Sequence, residues 1–381
     1  MTNLNEARCS VNVVAMQAGL EGVVVAETRL SEVDGERGRL VVCGHDVEAL
    51  AQRCDFEAVC ALLWQGQLPD ASAHAELRAA LGAARLRAWA RLPALGDALG
   101  AADAMEALRA GLAHWRASEL DAGALKLEIT AAVAVLAAAW ARQQQGEAPL
   151  QPDPACGHAA DFLRMATGQP ADAARAAALD AYLVTAADHG MNASTFTARV
   201  VASTQSDAVS AIVAAIGALK GPLHGGAPGP VLAMLDQIGR PEAAAAWIAR
   251  ELAAGRRIMG MGHRIYRVRD PRAAVLERAV ERLQASGLRS NRLALARAVE
   301  AVAVASLSEQ HPHRRLAANV EFYTAVILDA VGLPQALFAA TFAVARVAGW
   351  LAHVDEQLAT GRLIRPASRY IGALAGERVA A

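Results

Sequence analysis

The stretch Ser206-Asp207-Ala208-Val209-Ser210-Ala211-Ile212-Val213-Ala214-Ala215-Ile216-Gly217-Ala218-Leu219-Lys220, closed by Gly221-Pro222, repeats its large apolar side chains with helical period. Val209, Ile212, Val213 and Ile216 stand at i, i+3, i+4 and i+7, which puts them on one stripe of a helix. Ser206 is placed to cap the first turn, Asp207 falls within it, and the Gly-Pro pair stops the helix. The same period dominates after Asp55 and strand-type alternation is almost absent, so the expected fold class is all-α. One exception lies near the start. Val23-Val24-Val25-Ala26 and Arg39-Leu40-Val41-Val42 flank a polar stretch with Asp34-Gly35, which predicts a small N-terminal β-hairpin. Gln143 to Pro154 gathers Gln, Gly and Pro and predicts a loose connection. Beyond an alanine bias there is no repeat of 20–50 residues and no low-complexity segment.

The chain has 381 residues, 54% of them hydrophobic, enough for roughly two domains and a large core. Its formal net charge is −1, so no overall field draws nucleic acid or an anionic membrane, and an anionic ligand must be held by local basic groups. Five cysteines, Cys9, Cys43, Cys54, Cys60 and Cys156, form no C-x-x-C pair and are odd in number, the pattern of reduced thiols in a cytoplasm. Met1 to Ala15 begins polar, without the basic start and apolar run of a secretory signal. The longest apolar run, Ile129 to Ala141, is too short for a bilayer and suits a buried helix.

Three segments place a histidine or carboxylate beside glycine or a helix start. In Leu219-Lys220-Gly221-Pro222-Leu223-His224-Gly225-Gly226 the glycines allow close backbone approach to a ligand and expose the imidazole. A lone histidine is more often structural, and its glycine setting at a helix end is what favours function. In Ile258 to Arg272 the pair Gly260 and Gly262 offers main-chain groups to a ligand, and four arginines, Arg264, Arg267, Arg269 and Arg272, suit carboxylates and phosphates; the competing reading is a solvated basic loop. In Asn319-Val320-Glu321-Phe322-Tyr323-Thr324 an asparagine cap precedes Glu321, whose ionised form gains roughly 0.3–1 kcal/mol from the helix dipole; alone, that is an ordinary helix start. Arg346 is harder to explain as structure. Between Asp329 and Asp355 no other Asp, Glu, Lys or Arg occurs, and a buried unpaired arginine is costly, so it must meet an anion, either a structural carboxylate or a ligand. Arg346 and His353 at mid-segment also exclude a membrane span there.

In this order and spacing the segments resemble the citrate synthase family. The likeness runs through Gly19-Leu20-Glu21-Gly22 to Pro69, then Ala187-Asp188-His189 with Asn192-Ala193-Ser194-Thr195-Phe196-Thr197-Ala198-Arg199, and on to Arg365-Pro366. Residues from about Ala71 to Asp180 match mainly in helical character. The resemblance implies a homodimer with a large helical domain, residues 1–220 and 334–381, and a small domain, residues 221–333, with the active site between them. His224 would hold the thioester oxygen of an acyl-CoA, His263 would bind and protonate the oxo-acid carbonyl, and Glu321 would be the catalytic base. His189, Arg272 and Arg346 would hold the dicarboxylate, with Arg365 reaching in from a partner subunit, and Gly260, Met261, Gly262 and Arg267 would contact coenzyme A. The expected reaction condenses acetyl-CoA with oxaloacetate and hydrolyses the thioester. It uses the CoA thioester as co-substrate, with no metal and no tightly bound cofactor. Two alternatives stay open at this point: a 2-methylcitrate synthase using propionyl-CoA, since one methylene is worth only ~1–3 kcal/mol in a pocket, and a non-catalytic homologue that binds CoA or a dicarboxylate.

The sequence also departs from the family. Glu321 stands where most members have aspartate, and a misplacement of about 1 Å costs ~10²-fold in rate. Gly190 replaces a common glutamate, Ala186 a common histidine and Pro228 a common asparagine.

Overall fold

The computed structural model describes residues 19–119, 121–225, 228–263, 265–287, 292–311, 313 and 316–372. The expectations for Met1 to Ala15, Cys9, Arg264 and Gly226 lie outside these residues, as does the side chain of Pro228. A three-stranded antiparallel sheet comes first: β1 (Ser31–Asp34), β2 (Arg39–Val42) and β3 (His45–Asp46). Fifteen α-helices follow among the described residues. They are α1 (Val47–Arg53), α2 (Phe56–Gln65), α3 (Ala71–Ala90), α4 (Ala104–Leu112), α5 (Ala122–Gln144), α6 (His158–Thr167), α7 (Ala173–Ala186) and α8 (Ala193–Ser203). Then come α9 (Ala208–Leu219), α10 (Pro228–Ile238), α11 (Ala244–Ala253), α12 (Pro271–Ala285), α13 (Arg292–Gln310), α14 (Val320–Ala330) and α15 (Phe338–Thr360). The all-α class with a small N-terminal hairpin holds.

Two boundaries differ from the sequence reading, each for a local reason. The first strand of the hairpin is Ser31–Asp34, and Val23 and Val24 are exposed and outside any strand. Asp34 makes the shorter hairpin possible, because its Oδ1 accepts the backbone N–H groups of Glu36 and Arg37 and closes a tight turn to Arg39. The cap of α9 is Asp207, one residue later than Ser206, since its carboxylate reaches the N–H of Ser210. The helix stripe is as expected, with Val209, Ile212 and Ile216 buried.

The core is built on α5 and α15. The apolar run Ile129 to Ala141 sits inside a 23-residue helix, so by length α5, like the segment Gln335–Thr360, is long and apolar enough to cross a membrane. The run itself is short of a span, and the helix that contains it extends beyond it at both ends. Burial inside the protein accounts for that apolarity: 72% and 94% of the two windows are enclosed by other helices. Each large apolar side chain fully buried there contributes about 1.5–3 kcal/mol.

α15 lies against α8, α5, α9 and α7, and alanine and glycine let the neighbours come close. Gly349 shows how close. A Cβ there would stand 2.3 Å from the carbonyl oxygen of Ala187 and 2.8 Å from Asp188 Oδ1, so backbone atoms would have to move. Gly349→Ala is therefore expected to cost about 1–3 kcal/mol, the usual range for overpacking, read as a lowered Tm. An unchanged Tm would show that the 187–188 segment is free to shift.

Candidate active site

Three histidines, His189, His224 and His263, stand at chain reversals. The first follows α7: residues 187–192 turn back through Gly190, and Asn192 caps α8 by accepting the N–H groups of Ser194 and Thr195. This turn holds His189, which is buried. The second follows α9. Here the N–H of His224 returns to Gly221 O and that of Gly225 to Leu219 O, so these groups finish the helix. The third is the loop 258–270. Gly260 has φ +75° and no room for a Cβ, which would lie 2.9 Å from the Phe322 side chain. Met261 pairs with Ala318 in an antiparallel bridge. Gly262 N–H donates to Ala317 O, Asn319 N–H to Gly260 O, and Asn319 Nδ2 to Gly262 O. The glycine pair thus spends its main-chain groups on fastening the His263 loop to the start of α14, where Asn319 caps the helix and sets the backbone of Glu321. Gly260 O, Gly262 N–H and Gly262 O are the groups so used.

Asp270 is the fastener on the other side. It caps α12 by accepting the N–H of Arg272, takes the N–H of Val320 at the head of α14, and holds the Arg272 guanidinium at 3.0 Å and 2.8 Å. Arg269 is held by Glu277 and Glu300, the structural alternative to ligand binding.

The electrostatics decide what each group can do. His263 Nδ1 accepts the backbone N–H groups of Ile265 and Tyr266 at 3.0 Å and 3.1 Å, so the neutral ring carries its proton on Nε2. Arg272 Nη2 lies 3.4 Å from Nε2, which sets two donors side by side with no acceptor between them. Burial, with Arg272 adding to it, pushes His263 down to about 4, so the ring is neutral at pH 7. His224 is likewise brought down to about 4 by burial and Arg346. Its Nε2 is 2.8 Å from Ser194 Oγ, which also takes a hydrogen bond from Trp350 Nε1 at 3.1 Å. His189 Nε2 meets the Tyr266 hydroxyl at 3.1 Å, and the rings of His189, His263 and Tyr266 pack with centroids 4.8–5.9 Å apart.

Glu321 is half-buried, and burial pushes its carboxyl up to about 7 against the opposing pull of Arg272 and Arg346. Arg346 is buried, stacked 4.8 Å over the Phe342 ring, and donates Nε to Ala186 O at 2.7 Å. Its Nη2 has no partner among the described residues. Phe342 also meets the His224 ring, edge to face at 6.1 Å, and so sits between the two.

The structure therefore brings His189, His224, His263, Arg272, Glu321 and Arg346 into one cluster. Arg267 stands at its rim, exposed, 3.9 Å from Glu36 of the hairpin. Arg365 lies in the exposed segment after α15, apart from the cluster. Sequence reasoning missed Tyr266 and Trp350. Their only signal was an aromatic within hydrogen-bonding reach of a histidine segment.

Fold and site together define an acyl-transferring enzyme: neutral imidazoles, a guanidinium with a partnerless Nη2 and a carboxyl titrating near neutrality converge among the helices. The family profile "Citrate synthase, C-terminal domain" matches residues 19–367. A citrate synthase of Haloferax volcanii is 38% identical over 370 residues, 94% of this chain and 96% of that one. A 2-methylcitrate synthase of Mycobacterium tuberculosis is 38% identical over 368 residues, 94% and 91% of the two chains. Among solved structures, the ternary complex of Thermoplasma acidophilum citrate synthase with carboxymethyl coenzyme A and oxaloacetate superposes with a TM-score of 0.83, at 28% identity, covering 95% of this chain and 97% of that one. The chain belongs to the citrate synthase family.

Proposed function

We propose that the protein condenses acetyl-CoA with oxaloacetate and hydrolyses the resulting thioester to citrate and CoA. The observation that carries this reading is the convergence of Glu321, a carboxyl that ionises near pH 7, with two neutral histidines and the free Nη2 of Arg346. Removing a thioester α-proton needs a fixed base and a donor aimed at the developing enolate oxygen. Glu321 is the base. His224 becomes the donor through Nδ1 when the Ser194 hydroxyl proton, which lies toward Asn192 Oδ1 at 2.8 Å, turns to His224 Nε2 at 2.8 Å. His263, with its proton on Nε2, meets the ketone oxygen and neutralises the alkoxide formed on attack. Arg346, Arg272 and His189 fix the two carboxylates of the oxo acid and cancel their charge. The CoA thioester comes as co-substrate; Gly260, Met261, Gly262 and Arg267 form the segment nearest its coenzyme A portion. Leu223, Met259 and Ile265 are exposed beside His224 and His263 and offer apolar surface to its arm.

Residues 221–333 act as the small domain against residues 1–220 and 334–381. The protein works as a homodimer in the cytoplasm, and the partner supplies its own Arg365. The dimer is supported by the apolar, half-exposed Val213, Ala214 and Gly217 of α9, and the location by the free thiols of Cys43, Cys54, Cys60 and Cys156. A thiol-release assay tests the activity. Oxaloacetate-dependent CoA release is expected, with kcat/KM higher for acetyl-CoA than for propionyl-CoA. A preference for propionyl-CoA overturns the substrate, and no release from any short acyl-CoA overturns the activity.

A further inference from the structure

Three residues of α15 face the turn that carries His189. Arg346 donates to Ala186 O, Gly349 clears space for Ala187 and Asp188, and His353 Nε2 lies 3.2 Å from Asp188 Oδ1. The spacing i, i+3, i+7 makes them one stripe of the helix. Asp188 is enclosed, and its other oxygen accepts the Ser31 hydroxyl at 2.5 Å and the Gly190 N–H at 3.2 Å. Behind His353, Arg199 donates Nη1 to the ring's Nδ1 at 2.9 Å and to Glu356 at 2.7 Å. An arginine only donates, so Nδ1 is the acceptor and the neutral ring turns its Nε2 proton toward Asp188. The Nε2 and Oδ1 atoms are out of line for a hydrogen bond, and the contact is electrostatic.

We infer that Asp188 and His353 are positioning residues for the oxo-acid site: the carboxylate, gripped between His353 and Ser31, fixes the turn that presents His189 and supplies the buried negative charge opposite Arg346, leaving Nη2 free for a substrate carboxylate. Two further facts support this. Burial brings Arg346 down to about 10, and Asp188 is the largest influence opposing that fall. Burial would also raise the Asp188 carboxyl, yet its surroundings, His353, Arg346 and the Ser31 hydroxyl, outweigh it and hold the group below the usual carboxylate range. The inference rests on the cleft binding an oxo acid, as proposed above.

The competing role is purely structural, a buried ion network that stabilises the fold and leaves the site indifferent. Calorimetric binding of oxaloacetate and KM for acetyl-CoA separate the two. Asp188→Asn and His353→Phe should each weaken oxaloacetate binding tenfold or more, with KM for acetyl-CoA within twofold. Their double variant should be no worse than the weaker single one, because the pair acts as a unit. His353→Gln keeps a donor toward Asp188 and should recover part of the affinity. If Asp188→Asn does not fold, Ser31→Ala removes one hydrogen bond and spares the charge, and about threefold weaker binding is expected. Native affinity in all the folded variants, whatever their Tm, overturns the inference alone. Failure of the native protein to bind oxaloacetate overturns it together with the reading of the cleft.

Discussion

Glu321→Gln should lower kcat by at least ~10²-fold, the lower end of general-base contributions, while oxaloacetate binding stays within about twofold of native. Glutamine keeps the shape of the side chain and the helix start capped by Asn319, so only basicity is removed. The carboxyl titrates at about 7 because burial outweighs Arg272 and Arg346, and this gives the reaction a pH signature. As pH rises from 6 to 8 the ionised fraction grows about tenfold, and kcat/KM for acetyl-CoA should follow it. His224 and His263, held near 4, stay neutral throughout and add no limb. Stability changes in the opposite sense. The folded state keeps a proton on Glu321 that the unfolded chain has given up, so this group's stabilising contribution is present below its ordinary pKa and is lost as pH rises toward 7. Glu321→Gln should therefore gain stability relative to native as the pH is raised through that window. Glu321→Asp separates two histories of the family departure. If the backbone at the cap has shifted to suit the longer side chain, aspartate is slower than glutamate; an unshifted site is faster with aspartate.

Arg346→Leu should raise KM for the oxo acid by about 10²-fold, the usual consequence of deleting one partner of a buried charge-assisted pair, with a Tm within a few degrees of native. The effect on folding is mild because, among the described residues, Arg346 makes a single hydrogen bond, to Ala186 O, and Asp188, the carboxylate it faces, keeps the Ser31 hydroxyl and the Gly190 N–H. Leucine suits the apolar neighbours on α15. Arg272 differs, because Asp270 grips it while also joining α12 to α14, and its loss should cost folding as well as binding. A collapse of Tm for Arg346→Leu with unchanged KM would mean that Arg346 belongs to the Asp188 network alone.

Much of this was legible in the sequence because it is local. Helical stripes, the Asn319 cap and the isolated charge of Arg346 each depend on residues within a few positions of one another, and each stands in the structure. What failed depended on contacts between distant segments. Val23 to Ala26 has the composition of a strand, but Asp34 closes a tighter turn and pairs Ser31–Asp34 with Arg39–Val42 instead. The fastening of Gly260 and Gly262 to Ala317 and Asn319, more than fifty residues on, is likewise a contact that the sequence did not show. The grip of His353 on Asp188 and of Trp350 on Ser194 joins residues some 160 positions apart, which no periodicity reports. The family likeness named His189, His224, His263, Glu321, Arg272 and Arg346, and these converge. The same likeness named Arg267 and Arg365, which lie at the rim and beyond it.

Exchange of the acetyl-CoA methyl protons with deuterated water, in the presence of a non-reacting oxaloacetate analogue, tests the central claim without the later steps. The native protein should exchange them, faster at pH 8 than at pH 6, and Glu321→Gln should exchange at least ~10²-fold more slowly while binding the analogue as before. Equal exchange by native and Glu321→Gln proteins would contradict the account and assign the proton to another group.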